Sequence, residues 1–385
     1  MKQIAILGAT GSIGVQSLDV IAQFPDRFCV HGLTAHTRMD DFQQQIERFR
    51  PQSVAVSDET SATLLPSYNG SPEVRTGPEA LTDIVTHPDV DLVISALPGS
   101  AGFLPTLRAI EAGKTVALAN KEILVMAGQL VIGAAKQSGA VILPLDSEHS
   151  AIHQCLAGQD MAQVRRIVLT ASGGPFLSGD HDLTTVSPGD ALAHPTWDMG
   201  RKVTIDSATM MNKGFEVIEA HWLFGLPFSQ IDVVIHPQSI VHSMVELVDG
   251  AILAQLGIPD MRLPIQYALT YPERLPAKWP RFDLTRPWDL HFEPPNYERF
   301  PCLRLAYEAG AAGGTLPAVL SAADEVAVES FLEMEIAFSE IPTLISGAMD
   351  SHTPGEFIGT DGSLSLDSII GVDSWTRQYC RQIAG

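Results

Sequence analysis

Cysteine is scarce and scattered in this chain. Cys29, Cys155, Cys302 and Cys380 form no C-x-x-C pair, which excludes a disulfide framework or a zinc knuckle and suits a reducing compartment. No apolar run approaches the roughly 20 residues of a membrane span, so a membrane partner is not expected. Positive charge is also short: Lys and Arg number 24 against 45 Asp and Glu, a formal net charge of −21. Nucleic acid is excluded as a partner, because neutralising phosphates needs basic stripes. An anionic ligand would have to be held by a few local cations against the general field. Low-complexity tracts and fixed-period repeats are missing as well. The chain opens "MKQIAIL" and enters an apolar strand at residue 3, leaving no room for a signal or transit peptide, so a cytoplasmic location is expected.

At 385 residues the chain is too long for one core, and two or three domains are expected. Its first 150 residues alternate short apolar runs ("QIAILG", "CVHGLTA", "SVAVS", "DLVISALP", "TVALAN", "AVILPLD") with segments of helical length. That alternation predicts an α/β fold with an N-terminal Rossmann-like parallel sheet, whose ligands sit beyond the carboxyl ends of the strands. A central α+β catalytic domain follows, with strands in "RRIVLTASGG", "KVTIDSA", "IDVVIHPQSIVHSMVEL" and "AILAQLG" and a helix over "MMNKGFEVIEAHWLFG". Eight prolines between 264 and 301 argue against regular structure there, and a C-terminal helical bundle completes the chain. The expected division is 1–146, 147–275 with a mobile lid at about 173–201, a linker over 276–300, and 301–385.

Three glycines, Gly8, Gly11 and Gly14, stand between the first strand and first helix in G-x-x-G-x-x-G spacing. Such a turn lets backbone approach a pyrophosphate at a helix N-terminus, with Thr10 and Ser12 as added donors; the alternative is a tight turn that binds nothing. After the second strand come His36, Thr37 and Arg38 rather than an early acid, which favours the 2′-phosphate of NADP over the ribose of NAD. The fifth apolar run ends in Asn120, Lys121 and Glu122, placed by the strand-end rule toward the nicotinamide.

"LPLDSEHSAI" puts Asp146 and Glu148 one residue apart at a strand exit. If the segment is extended, both carboxylates point to one side, with Ser147 facing away or turned by the loop, and a hard divalent ion, Mg²⁺ or Mn²⁺, would relieve their repulsion. A solvated pair, or Asp146 as a helix cap, explains them equally well. A zinc site through His149 and His153 is weaker, since the metalloprotease pattern needs Glu directly after the first His. A third carboxylate is available in "HPTWDMGRKVTIDSATMMNKGFEVIEAHW", where Asn212 and Glu216 share a helical face beside Lys213. Ser172 with two glycines makes a second anion nest, and the Gly, Ser, Asp and Pro-rich stretch after it reads as a lid with Trp197 and Met199 as apolar cover. Ordinary core packing is the plainer reading of Trp197.

Together "GATGSIG", "ALANKE", "LPLDSEHSAI", "LTASGGPF", "HPTWDMGRKVTIDSATMMNKGFE", "VIHPQSIVHSMVE" and "FPCLRLAYEAG" closely resemble the 1-deoxy-D-xylulose 5-phosphate reductoisomerase family over essentially the whole chain. The resemblance implies a homodimer that rearranges a ketose phosphate and reduces the resulting aldehyde with NADPH for isoprenoid synthesis. It implies metal ligands at Asp146, Glu148 and Glu216. Substrate contacts are implied at Lys121, Ser147, Glu148, Ser172, His194, Trp197, Ser207, Asn212, Lys213 and Glu216. Cofactor contacts are implied at Gly8, Thr10, Gly11, Ser12, Ile13, Asn120, Glu122 and Gly200, and His242 matches a histidine near the site. The chain departs from the family at Ala9, at His36 and Arg38, and at Asp324. Two rivals stay in view. A dehydrogenase of the semialdehyde or homoserine type would not need three carboxylates, and a redox-sensing regulator would carry a basic module that is missing here.

Overall fold

The structure is a computed structural model that describes every residue except 66–71, 78, 180, 354, 356, 358–363 and 385. Position 180 of the expected lid and part of the last segment therefore lie outside the described residues. Residues 1–123, 131–150 and 260–279 form one compact unit, and 124–130, 151–259 and 280–385 form a second.

The first unit holds a sheet of seven parallel strands. They are β1 (Lys2–Leu7), β2 (Phe28–Ala35), β3 (Ser53–Val56), β4 (Glu73–Arg75), β5 (Leu92–Ser95), β6 (Thr115–Leu118) and β7 (Ile142–Pro144), in the order β4-β3-β2-β1-β5-β6-β7. Six of them lie where the apolar runs predicted. The seventh, β4, is three residues long with two exposed, so no apolar run announced it. The strand order reverses between β1 and β5, and the crevice at that switch point lies beside the glycine turn.

That turn needs its glycines for steric reasons. Gly8 has φ +84°, and a Cβ there would sit 2.9 Å from the Ala96 carbonyl oxygen. A Cβ on Gly14 would lie 2.3 Å from the Gly8 carbonyl oxygen and 2.5 Å from that of Ala9. The loop is further tied to β2, because Gly8 N donates to Thr34 Oγ1 and Ala9 N to the Thr34 carbonyl.

The proline-rich segment is not uniformly irregular. Arg262–Thr270 is a helix with Pro264 in its first turn, where a missing N–H costs nothing. Its Ile265, Ala268 and Leu269 are fully buried in one core with Ile4, Leu18 and Val30. The apolar spacing within it outweighs its proline, and regular helix and strand are lost only beyond it.

The second unit contains a four-stranded sheet, β8 (Val164–Ala171), β9 (Ile231–Ile235), β10 (Val241–Leu247) and β11 (Ile252–Leu256), ordered β11-β10-β8-β9. "KVTIDSA" was expected as a strand and is a helix, Arg201–Thr209. The consecutive β-branched Val203, Thr204 and Ile205 read as a strand, but a Lys202–Asp206 ion pair at i, i+4 (2.6 Å) and burial of every residue from 204 to 209 override that preference. Met210 at φ +65° turns the chain into the next helix, Met211–Phe224. The C-terminal helices Pro301–Ala312, Leu316–Leu332, Ile341–Ser351 and Leu366–Ala384 pack as a bundle, so the chain has an α/β fold with a helical C-terminal region. Among the described residues no helix is long and apolar enough to cross a membrane.

Replacing Gly14 by alanine forces a methyl into two backbone carbonyls. Overpacking of this kind should cost about 1–3 kcal/mol, read as a lower midpoint in urea unfolding with an unchanged slope. A neutral or stabilising Gly14→Ala would contradict the steric account of the turn.

Candidate active site

In the first unit the residues of interest gather at the carboxyl ends of the strands. Thr10 is buried, Ser12 is exposed, and Gly11 is the N-cap of the helix Ser12–Ile21. His36, Thr37 and Arg38 all lie exposed immediately after β2, at the next strand end along the sheet. Asn120 follows β6 and is buried. Its Nδ2 donates to the carbonyls of Leu97 (2.5 Å) and Gly99 (2.8 Å), fixing the turn after β5, while its Oδ1 is buried without a protein partner. Glu122 is buried in the first turn of the helix Glu122–Ser138.

Lys121 stands between these two. It is buried, and its ammonium pairs with Asp146 Oδ2 at 2.6 Å, joining the end of β6 to the exit of β7. The exit itself differs from the extended segment expected. β7 stops at Pro144 and a helix, Ser147–Leu156, begins at once. Glu148 therefore projects from a first helical turn, and strand alternation cannot be what aims it alongside Asp146. Nor does Ser147 face away, since its hydroxyl donates to Glu148 Oε2 at 2.6 Å.

In the second unit three groups are assembled. The helix Met211–Phe224 carries Asn212, Lys213 and Glu216 on one face: Asn212 Nδ2 donates to Glu216 Oε1 at 2.6 Å, and Lys213 Nζ bonds to Glu216 Oε2. Lys213 and Glu216 are 3% and 1% exposed, so this is an ion pair withdrawn from water. Glu219, one turn further on the same face, is fully buried as well. Sequence reading passed over it, because a Glu three residues after another Glu looks like an ordinary solvated helix face.

The second group lies after β8. Ser172 Oγ is 2.9 Å from His194 Nε2 and also accepts from Gly174 N at 3.3 Å. Gly174 has φ +70°, and a Cβ on it would be 2.7 Å from the Ser207 carbonyl oxygen, so only glycine lets the Ser172 turn approach Ser207 this closely. His194 Nδ1 accepts from the amides of Thr196 (3.1 Å) and Trp197 (2.9 Å). With that nitrogen serving as acceptor, the neutral ring carries its proton on Nε2 and points it toward Ser172. Burial lowers the His194 pKa below its ordinary 6.5, which keeps that tautomer neutral.

Third, Trp197 is half-buried rather than a core residue, and its ring centroid lies 6.4 Å from that of buried His242 on β10. Gly200 is exposed at the start of the helix Arg201–Thr209. Lys202, one of the local cations of this stretch, is engaged with Asp206 at 2.6 Å and Asp324 at 2.9 Å. Asp324 comes from the helix Leu316–Leu332, too far along the chain for sequence spacing to reveal the pairing.

Comparison with known proteins points one way. A family model described as 1-deoxy-D-xylulose 5-phosphate reductoisomerase matches residues 4–128, and models of reductoisomerase C-terminal domains match 142–224 and 256–379. A 1-deoxy-D-xylulose 5-phosphate reductoisomerase of Gloeobacter violaceus is 49% identical over 386 residues, covering 99% of this chain and 97% of that protein. One from Pelotomaculum thermopropionicum is 53% identical over 381 residues, covering 98% and 97%. Among solved structures, a DOX-P reductoisomerase in complex with NADPH, fosmidomycin and magnesium superimposes with a TM-score of 0.93 at 41% identity, covering 100% of this chain and 98% of that one. The reductoisomerase of Zymomonas mobilis in complex with NADPH gives 0.90 at 41%, covering 100% and 99%.

The His194 turn makes a pH prediction. The native pKa lies below the unfolded value near 6.5, so unfolded chains bind the extra proton first and the turn's contribution is lost as pH falls from about 6.5 toward the native pKa. Amide protection at Thr196 and Trp197, corrected for intrinsic exchange, should drop between pH 7.5 and 5 while the β8 amides hold. Equal protection at both pH values would rule out Nδ1 as the acceptor.

Proposed function

Because the chain belongs to the 1-deoxy-D-xylulose 5-phosphate reductoisomerase family, we propose that it converts 1-deoxy-D-xylulose 5-phosphate to 2-C-methyl-D-erythritol 4-phosphate, with NADPH as reductant and Mg²⁺ or Mn²⁺ as metal. The observation that carries the assignment of roles is that a carboxylate in each cluster is paired with a buried lysine: the half-buried Asp146 with Lys121, and the buried Glu216 with Lys213.

Asp146, Glu148 and Glu216 are the metal's protein ligands on this reading. The donor set fits a hard divalent ion, since all three are carboxylates and no thiolate or imidazole is needed. When bound, the ion acts as a Lewis acid on the substrate's carbonyl and adjacent hydroxyl, favouring the carbon-skeleton rearrangement. The protein's own side chains do the rest. Lys121, already beside Asp146, donates to a substrate oxygen, and Ser147 positions Glu148. Ser172, His194, Ser207, Asn212 and Lys213 hold the phosphate. His194 donates from Nε2, and Lys213 supplies a buried positive charge that strengthens each of those bonds. Trp197 and His242 cover the reacting carbons and exclude water.

Gly8, Thr10, Gly11, Ser12 and Ile13 would hold the pyrophosphate of NADPH, His36, Thr37 and Arg38 its 2′-phosphate, and Asn120, Glu122 and Gly200 its nicotinamide end. Residues 1–146 serve as the cofactor domain and 147–275 as the metal and substrate domain. Residues 173–201 act as its lid, closed by phosphate binding energy, with 276–300 as linker and 301–385 as supporting bundle. The enzyme works in the cytoplasm as a homodimer.

Three measurements test this. Glu216→Gln should lower turnover by more than about a hundredfold while NADPH still binds by fluorescence titration, since the carboxylate is assigned to the metal and not to the dinucleotide. Retained turnover would remove Glu216 from the metal. Arg38→Ala should raise the KM for NADPH about tenfold or more and leave that for NADH nearly unchanged, the loss expected of one charge-assisted contact to phosphate. EDTA should abolish NADPH oxidation on addition of the sugar phosphate, and Mg²⁺ should restore it.

A further inference from the structure

A second group of ligating side chains lies in the first unit, at the amino-terminal edge of the parallel sheet, on the far side from the glycine turn. His31 is the extra residue of a bulge in β2: Ile4 pairs with Val30 and Ala5 with Gly32, so His31 has no opposite number on β1. A bulge of this kind re-aims a side chain out of the regular alternation. The next residue, Gly32, has no side chain for a specific reason. A Cβ there would lie 2.4 Å from Ile84 Cγ2, so the helix Ala80–Thr86 packs directly on the strand. That helix ends at His87, and its imidazole centroid comes to 4.4 Å from that of His31. Asp89 follows in the same turn, with Oδ2 4.0 Å from His87 Nδ1.

Three details make this more than two stacked rings. One ligand atom from each of His31, His87 and Asp89 lies within 4.8 Å of the others. His31 is 1% exposed, and its Nδ1 is buried without a hydrogen-bond partner among the described residues, an arrangement that is unfavourable unless something binds there. Finally, the turn is held from behind: Lys114 Nζ donates to the carbonyls of His87 (2.7 Å), Pro88 (3.2 Å) and Val90 (2.7 Å). Those three bonds turn the ammonium onto the backbone of the turn.

We propose that His31, His87 and Asp89 form a binding site for a borderline divalent transition-metal ion, of which Zn²⁺ is the type. Two imidazoles, one carboxylate and a water complete a tetrahedral set. Ligand atoms around such an ion stand roughly 3.3 Å apart, given bonds of about 2.0 Å, so separations within 4.8 Å must contract by up to about 1.5 Å. His87 and Asp89 can supply that movement, since both are accessible on a turn while His31 is fixed in the sheet. At His87 Nδ1 the ion would displace a long bond of 3.3 Å from Asp89 N. The site's nitrogen donors distinguish it from the all-oxygen set assigned to Mg²⁺. It would pin β2 to the turn before β5 and stiffen the dinucleotide-binding sheet from its lower edge.

The test uses the full-length protein stripped with chelator and returned to excess Mg²⁺, so that the hard-ion site is filled. Calorimetric titration with Zn²⁺ should show one equivalent for wild type that is lost in His87→Ala and weakened in Asp89→Asn. Zn²⁺ should raise the melting temperature of wild type by a few degrees and that of His87→Ala not at all. Cu²⁺ in place of Zn²⁺ should give an electron paramagnetic resonance spectrum with coupling to two nitrogens. Turnover with Mg²⁺ alone should be the same in wild type and Asp89→Asn, which keeps the test independent of folding defects. Zn²⁺ binding of equal stoichiometry and affinity in wild type and His87→Ala, or a Cu²⁺ spectrum without nitrogen coupling, would overturn the site.

Discussion

A carboxylate taken out of water must be given positive charge or lose its own, and the candidate active site is organised around that constraint. Asp146 is given Lys121, and Glu216 is given Lys213 with Asn212 as a further donor. Each pairing joins neighbours in the fold: a β6 end to a β7 exit in one case, two residues on one helical face in the other. Were either lysine lost, the remaining acid would be buried and uncompensated, an arrangement far costlier than the loss of a surface ion pair. The same pairs bear on the chemistry proposed, because carboxylate oxygens are the donors that a hard cation requires.

Close approach through glycine places the remaining groups. Gly8 and Gly14 make room for a dinucleotide turn, and Gly174 lets the Ser172 turn meet the end of the helix that carries Ser207. His194 then links this turn to the segment bearing Trp197 by spending one ring nitrogen on two backbone amides and the other on Ser172. A phosphate held at Ser172, as proposed, would thereby be tied to the conformation of residues 194–197.

How much of this could be read in advance differs from element to element. β1, β2, β5 and β6 announce themselves as continuous apolar runs because both faces of a parallel sheet are buried. The Asn212–Lys213–Glu216 face follows from helical spacing alone. By contrast, the helix Arg201–Thr209 was invisible because its β-branched residues favour a strand in isolation, and only the packing of 204–209 reverses the preference. Pro264 likewise argued against a helix that its apolar neighbours in fact sustain. The aim of Glu148 was misjudged for a related reason, since where β7 stops and the helix starts depends on tertiary packing at the strand exit.

Residue chemistry and short-range order were thus determined along the chain itself: a parallel sheet, a glycine turn, and an Asn212–Lys213–Glu216 face on one helix. Local spacing suffices there because each feature lies within one strand, turn or helix. Which acid faces which lysine was decided only in three dimensions. Lys121 reaches Asp146 across 25 residues, Lys202 reaches Asp324 across 122, and His31 meets His87 through a bulge and a packed helix. Partnerships over such separations are set by how elements pack, and packing energy is a property of the whole core rather than of any window of sequence.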